Sequence, residues 1–113
     1  MLKYVRLAGG TVVHAHPFRQ DSYIPMIRLL PDLVDAVEVL NGHRKDDVNR
    51  RAKWYADSYG LPGTAGSDNH DVVNGFAEAG VLLDERLTDT AHYARLVLER
   101  RIINLFPHLD GCC

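Results

Sequence analysis

Short apolar runs broken by turn-forming clusters set the rhythm of this chain. Leu2 to Leu7 reads as the last turns of a helix closed by Gly9-Gly10. No N-cap precedes it, which predicts a helix that begins upstream. Thr11 to Ala15 is β-branched and apolar, a strand ended by Pro17. Phe18 to Tyr23 reads as polar loop, and Ile24 to Leu30 as a short helix with Pro25 in its first turn and Pro31 after it. Val34 to Leu40 predicts a second strand, stopped by Asn41-Gly42.

The strongest helical pattern spans Lys45 to Tyr59. Val48, Ala52, Tyr55 and Tyr59 share one face, and Gly60 and Pro62 terminate the run. Trp54 is assigned to packing in this helix. Gly63 to Gly66 predicts a short buried strand, Ser67 to Gly75 a loop, and Ala79 to Leu83 a brief strand. Thr88 or Asp89 caps a last helix reaching about Arg101, with Ala91, Ala94 and Leu98 inward. Ile102 to Phe106 closes the chain as a strand, ended by Pro107. Strands and helices alternate, so the expectation is an α/β fold with mostly parallel strands.

Three of these strands end in polar residues of metal-ligand type. The first runs into His14-Ala15-His16-Pro17, the second carries Glu38 and ends at Asn41, and the third runs into Ser67-Asp68-Asn69-His70-Asp71. Parallel strands bring those ends to one edge, where α/β folds place their sites. Asp68 and His70 are two residues apart and point the same way in extended backbone. A carboxylate with imidazoles suits Zn²⁺, Mn²⁺ or iron, whereas Ca²⁺ takes oxygens. Asp68 as a turn cap with an exposed His70 is the competing reading. His16 sits at its strand end; His14 lies one pleat deeper, where a histidine is more often a core residue than a ligand. Glu38 needs donors or a cation if its strand is buried, and is merely solvated if the strand is an edge. Arg19 suits a phosphate oxygen pair, and Arg44 and Lys45 open a helix against its macrodipole. His43, His92 and His108 are assigned to the surface.

Composition narrows the class. The 113 residues are 46% hydrophobic and 25% charged, enough for one compact domain with a small core. A net charge of −2 gives no basic excess for a nucleic-acid backbone. No apolar stretch approaches a bilayer span, and the first residues do not read as a signal peptide, so a cytoplasmic protein with no membrane partner is expected. The two cysteines, Cys112 and Cys113, are adjacent at the chain end and build no disulfide framework. No P-loop, G-x-G-x-x-G or nucleophile elbow occurs.

In order and spacing, Gly9-Gly10 through His14-Ala15-His16-Pro17-Phe18-Arg19, then Asp35-Ala36-Val37-Glu38-Val39-Leu40-Asn41-Gly42, a helix with Asn49, Ala52 and Ala56, Gly60-Leu61-Pro62, and Gly66-Ser67-Asp68-Asn69-His70 resemble the PHP (polymerase and histidinol phosphatase) family. The resemblance runs from about Leu2 to Phe106. It implies the C-terminal part of a distorted barrel of about seven β/α units, a smaller relative of the (β/α)₈ barrel, with residues 1–113 forming a partial PHP domain. It implies metal ligands at His16, Asp68 and His70, with Asp68 and His70 catalytic, Arg19 on the substrate, and His14, Glu38 and Asn41 beside the ligands. The implied cofactors are divalent ions (Zn, Mn or Fe), and the implied substrate is a phosphorylated small molecule or a phosphodiester. The family's opening His-x-His motif and further ligands belong upstream of Met1, so the chain is expected to be a fragment inactive alone. Two alternatives remain: an amidohydrolase-type hydrolase, in which His14 is a ligand equal to His16, and a non-catalytic module that pairs with itself. A homo-oligomer is expected from unpaired strand edges.

Overall fold

The computed structural model describes residues 2–20, 26–70 and 78–107. The first helix, α1, is Leu2–Leu7. Gly9 ends it in left-handed backbone at φ 87°, and the Gly10 N–H returns to the Val5 carbonyl at 2.8 Å. A salt bridge of 3.2 Å from Arg6 to Asp35 ties this helix to the entry of the second strand.

Three strands form a parallel sheet: β1 (Val13–His14), β2 (Ala36–Asn41) and β3 (Gly63–Gly66), with β2 in the middle. Val13 lies beside Ala36 and His14 beside Val37; on the other flank Glu38 lies beside Thr64 and Asn41 beside Gly66. A central parallel strand is covered on both faces, and in β2 only Glu38 escapes full burial. Gly63 lets β3 come close, since a Cβ there would stand 2.9 Å from a Val39 methyl carbon.

Helix α2, Asp46–Ser58, covers one face of this sheet. Ala52, Tyr55 and Ala56 pack with Val37 and Val39 to make the core, with Phe18, Leu29, Leu61 and Leu105 around it. Val48 is half-buried, while Tyr59 and Trp54 are exposed, so the assignment of Trp54 to packing is corrected. Trp54 falls about 200° around the helix from Ala52, on the solvent side. Gly60, at φ 65°, closes α2. Its N–H bonds the Asp57 carbonyl and the Leu61 N–H bonds the Ala56 carbonyl, which together make a Schellman motif.

The remaining elements are β4 (Gly80–Leu82), α3 (Thr90–Leu98) and β5 (Asn104–Phe106). Strands β4 and β5 pair antiparallel in a separate two-stranded sheet. The parallel expectation therefore holds for three strands and not for these two. Asp89 caps α3, its carboxylate accepting the His92 N–H at 2.7 Å. The inward face of α3 is His92, Leu96 and Val97 rather than Ala91, Ala94 and Leu98. His92 is thus a buried residue and not a surface one. Its Nε2–H donates to Glu85 at 2.5 Å, and its Nδ1 accepts the Thr88 N–H at 3.2 Å.

Residues 26–30 carry no helix, which corrects the described part of the helix expected over Ile24 to Leu30. The expected features at Tyr23, Pro25, Asp71, Gly75, His108, Cys112 and Cys113 lie outside the described residues. No helix among the described residues is long and apolar enough to cross a membrane. The architecture is mixed α/β with a three-stranded parallel sheet.

Candidate functional site

The C-terminal ends of β1, β2 and β3 meet on one edge of the sheet, because all three strands run the same way. Each outer strand then turns sharply. His16 stands two residues beyond β1 with φ 28°, and Asp68 stands two residues beyond β3 with φ 56°. Among the described residues only one other non-glycine, Arg100, has positive φ. Left-handed backbone is uncommon outside glycine, although Asp and His adopt it more readily than most residues, and it recurs at functional sites where surrounding structure holds it. Two of the three residues singled out as ligands are in that state.

His70 follows Asp68 and is largely exposed. Its Nδ1–H donates to the Asp68 carbonyl at 2.8 Å. That bond fixes the tautomer and leaves Nε2 as a free lone pair, the arrangement in which histidines bind metals. Its Nδ1 is also 3.7 Å from the Asp68 carboxylate, whose other oxygen is 3.6 Å from the Arg44 guanidinium. The donor types suit a transition metal or zinc. Among the described residues, however, no three histidine, cysteine or acidic side chains stand close enough to hold one ion. Asp68 and His70 are brought together; His16 shares their edge without completing a coordination shell.

His14 lies one pleat back from the strand end and lines a shared cleft with His16 and Arg19. Its ring meets the Tyr55 ring edge-on at 5.8 Å, beneath α2. Burial, and then the neighbouring His16, hold its pKa below the ordinary value. The His14 ring packs against α2, and its Nδ1 is buried with no hydrogen-bond partner among the described residues.

Glu38 and Asn41, expected beside the ligands, form a connected network. Glu38 Oε1 accepts the His16 N–H at 3.0 Å and the Asn41 side-chain N–H at 2.9 Å. Asn41 Oδ1 accepts the His43 N–H at 2.9 Å, and the His43 ring donates from Nδ1 to the Ser67 carbonyl. Buried Asn49 on α2 brackets Asn41, accepting its N–H at 3.0 Å and donating to its carbonyl at 3.2 Å. Glu38 is therefore satisfied by donors, which answers the requirement that a buried carboxylate raises.

Arg19 donates its backbone N–H to the His16 carbonyl at 3.0 Å, closing the His-Pro turn. Its side chain lines a cleft of about 300 Å³ with His43, Arg44, Lys45 and Asp47, next to the N-terminus of α2. Lys45 is the N-cap of that helix and makes no side-chain capping bond. Positively charged groups and a helix N-terminus both favour an anion.

The bridging roles of Asn49 and His43 were not read from the sequence, although Asn49 interrupts the apolar face of α2. Tyr93 is a second omission. Burial first, and then the nearby Glu38 charge, push its hydroxyl pKa up. Nothing in the pattern of α3 marks it.

Residues 47–72 match the family model described as PHP-associated, consistent with the C-terminal part of a PHP domain. The matched stretch runs from the first turn of α2 through β3 to the Asp68-Asn69-His70 turn. No curated protein and no solved structure matches the chain.

Proposed function

We propose that this chain supplies part of a metal-dependent phosphoesterase centre of PHP type, with His16, Asp68 and His70 as metal ligands, Asp68 and His70 catalytic, and Arg19 on the substrate phosphate. The observation that carries this reading is the pair of left-handed residues, His16 and Asp68, placed two residues past parallel strands that flank one central strand. The PHP-associated match over residues 47–72 supports it.

Divalent ions bound there (Zn, Mn or Fe) would acidify a coordinated water and polarise a phosphate oxygen. The chain's own residues do the remaining work. His70 holds its proton on Nδ1 and offers Nε2. Arg19, Arg44 and Lys45 place positive charge around a cleft wide enough for a phosphate group on a small molecule or a phosphodiester. Three ligands fill only part of a coordination sphere, so binding by this chain is weaker than in a complete centre.

The test is equilibrium dialysis of the chain against Mn²⁺ and Zn²⁺, followed by elemental analysis. At least one bound ion per chain is expected, with Asp68→Asn and His70→Ala each losing more than the roughly 10- to 100-fold in affinity that loss of an outer hydrogen-bond partner costs. Wild-type chain that retains no metal contradicts the proposal.

An amidohydrolase-type centre would need His14 as a ligand, and its contact with Tyr55 beneath α2 disfavours that. The non-catalytic, self-associating reading has support of its own. Tyr4, Leu7, Trp54 and Ile103 are exposed, and an open apolar cleft of about 280 Å³ is lined in part by Val39, Pro62, Val97 and Leu105.

A further inference from the structure

We infer that Glu38 is a positioning residue, which sets the His16 turn by accepting its backbone N–H and couples it to the Asp68 turn through Asn41, His43 and Gly66. The inference takes the importance of those two turns from the proposed metal-centre reading, but its geometry stands separately.

Glu38 sits on the central strand, between the two turns. One carboxylate oxygen takes both the His16 N–H, at 3.0 Å, and the Asn41 amide N–H, at 2.9 Å. Hydrogen bonds to an ionised acceptor are roughly twice as strong as neutral ones. That strength is applied to a residue whose backbone, at φ 28°, is otherwise unfavourable. The other oxygen, Oε2, faces β3. A Cβ built on Gly66 would lie 2.9 Å from it, with no other atom within 4 Å. Gly66 therefore leaves room for this carboxylate, and the residue after it is Ser67, whose carbonyl receives the His43 ring N–H.

Asn41 makes the arrangement rigid. Its side chain donates to Glu38 and accepts from His43, while Asn49 holds its backbone on both polar atoms. The chain of contacts runs from α2 to β2, then outward to the turn after β1 and the turn after β3. A carboxylate that is already engaged in this way acts on the candidate ligands through the backbone.

The experiment is amide hydrogen exchange by NMR on the ¹⁵N-labelled chain, comparing wild type with Glu38→Ala, Glu38→Gln and Gly66→Ala. Glu38→Ala should speed exchange of the His16 N–H by at least about tenfold, the loss expected for one charge-assisted hydrogen bond, while Ala52 to Ala56 in α2 keep their protection. Glu38→Gln retains an acceptor oxygen and should restore His16 protection to within a few-fold of wild type. Gly66→Ala pushes on the carboxylate from the far side and should shift the His16 amide resonance from two strands away. If Glu38→Ala does not fold, Gly66→Ala and Glu38→Gln decide the matter. An unchanged His16 amide in Gly66→Ala, or a Gln variant as exchange-labile as an unprotected turn, overturns the inference. Metal content of the same samples reports on the proposed function independently: wild type without metal but with a protected His16 amide fails that reading and leaves this one standing.

Discussion

His14 and His16 are two residues apart, and the sequence offers both as ligands. The register separates them. His14 lies beside Val37, on the face that α2 covers, whereas His16 has left the strand in a left-handed turn. His14→Ala should leave metal content unchanged, by elemental analysis, and lower stability through lost packing on Tyr55. Period-two spacing told which residues share a face; it carried no information about where the strand stops. Asp68 was legible as a ligand type, but its left-handed backbone and its 3.6 Å approach to Arg44 were not. Glu38 was legible as a carboxylate needing donors, and the donors proved to be a backbone N–H and an asparagine, which no local pattern announces. Arg19→Ala should raise KM for a phosphodiester substrate in a complete centre far more than it lowers kcat, because a cleft residue of this kind contributes to ground-state binding.

Among the elements, α2 was the most legible, because apolar spacing, a terminating Gly60 and a following Pro62 agree with one another. Its buried asparagine is the exception with a function. Asn49→Ala strips partners from the backbone N–H and carbonyl of Asn41 in a buried setting. A loss of about 2 kcal/mol or more is expected in urea unfolding, and a change below 0.5 kcal/mol would contradict the bracket. Helix α3 was legible in extent but not in orientation. Two alanines and Leu98 mark a plausible stripe, yet the cluster of Thr88, His92, Glu85 and Arg101 fixes the other face inward. The hydrogen bond from His92 is the largest cause lowering the Glu85 pKa, with Arg101 adding to it. A depressed carboxylate stabilises the fold above its unfolded value and loses that contribution as pH falls below about 4.5 toward its folded value. Glu85→Gln should flatten the acid limb of a stability-against-pH curve measured by circular dichroism. The β4–β5 pair was found as strands, but strand direction depends on the return path of the chain, which composition does not encode.

At the scale of the whole molecule, the core is small and the apolar exposure is broad. Tyr4, Leu7, Ile103 and Phe106 remain accessible at positions far apart in sequence. Sedimentation equilibrium should show a dimer or larger species at micromolar concentration, and a well-folded monomer would count against self-association. The alternation of strand and helix predicted an α/β fold, and the three-stranded parallel sheet agrees. What that sheet accomplishes is to bring the residues after β1 and β3 to the same end of β2, on its two flanks, from positions some fifty residues apart in the chain. The central claim is that His16, Asp68 and His70 contribute to one metal centre. Cobalt(II) titration followed by visible absorption tests it most directly, since band position and intensity report the ligands of the bound ion. The account predicts a Co²⁺ spectrum that His16→Ala, Asp68→Asn and His70→Ala each alter and weaken, and that His14→Ala leaves in place. A spectrum and affinity unchanged by His16→Ala would contradict it.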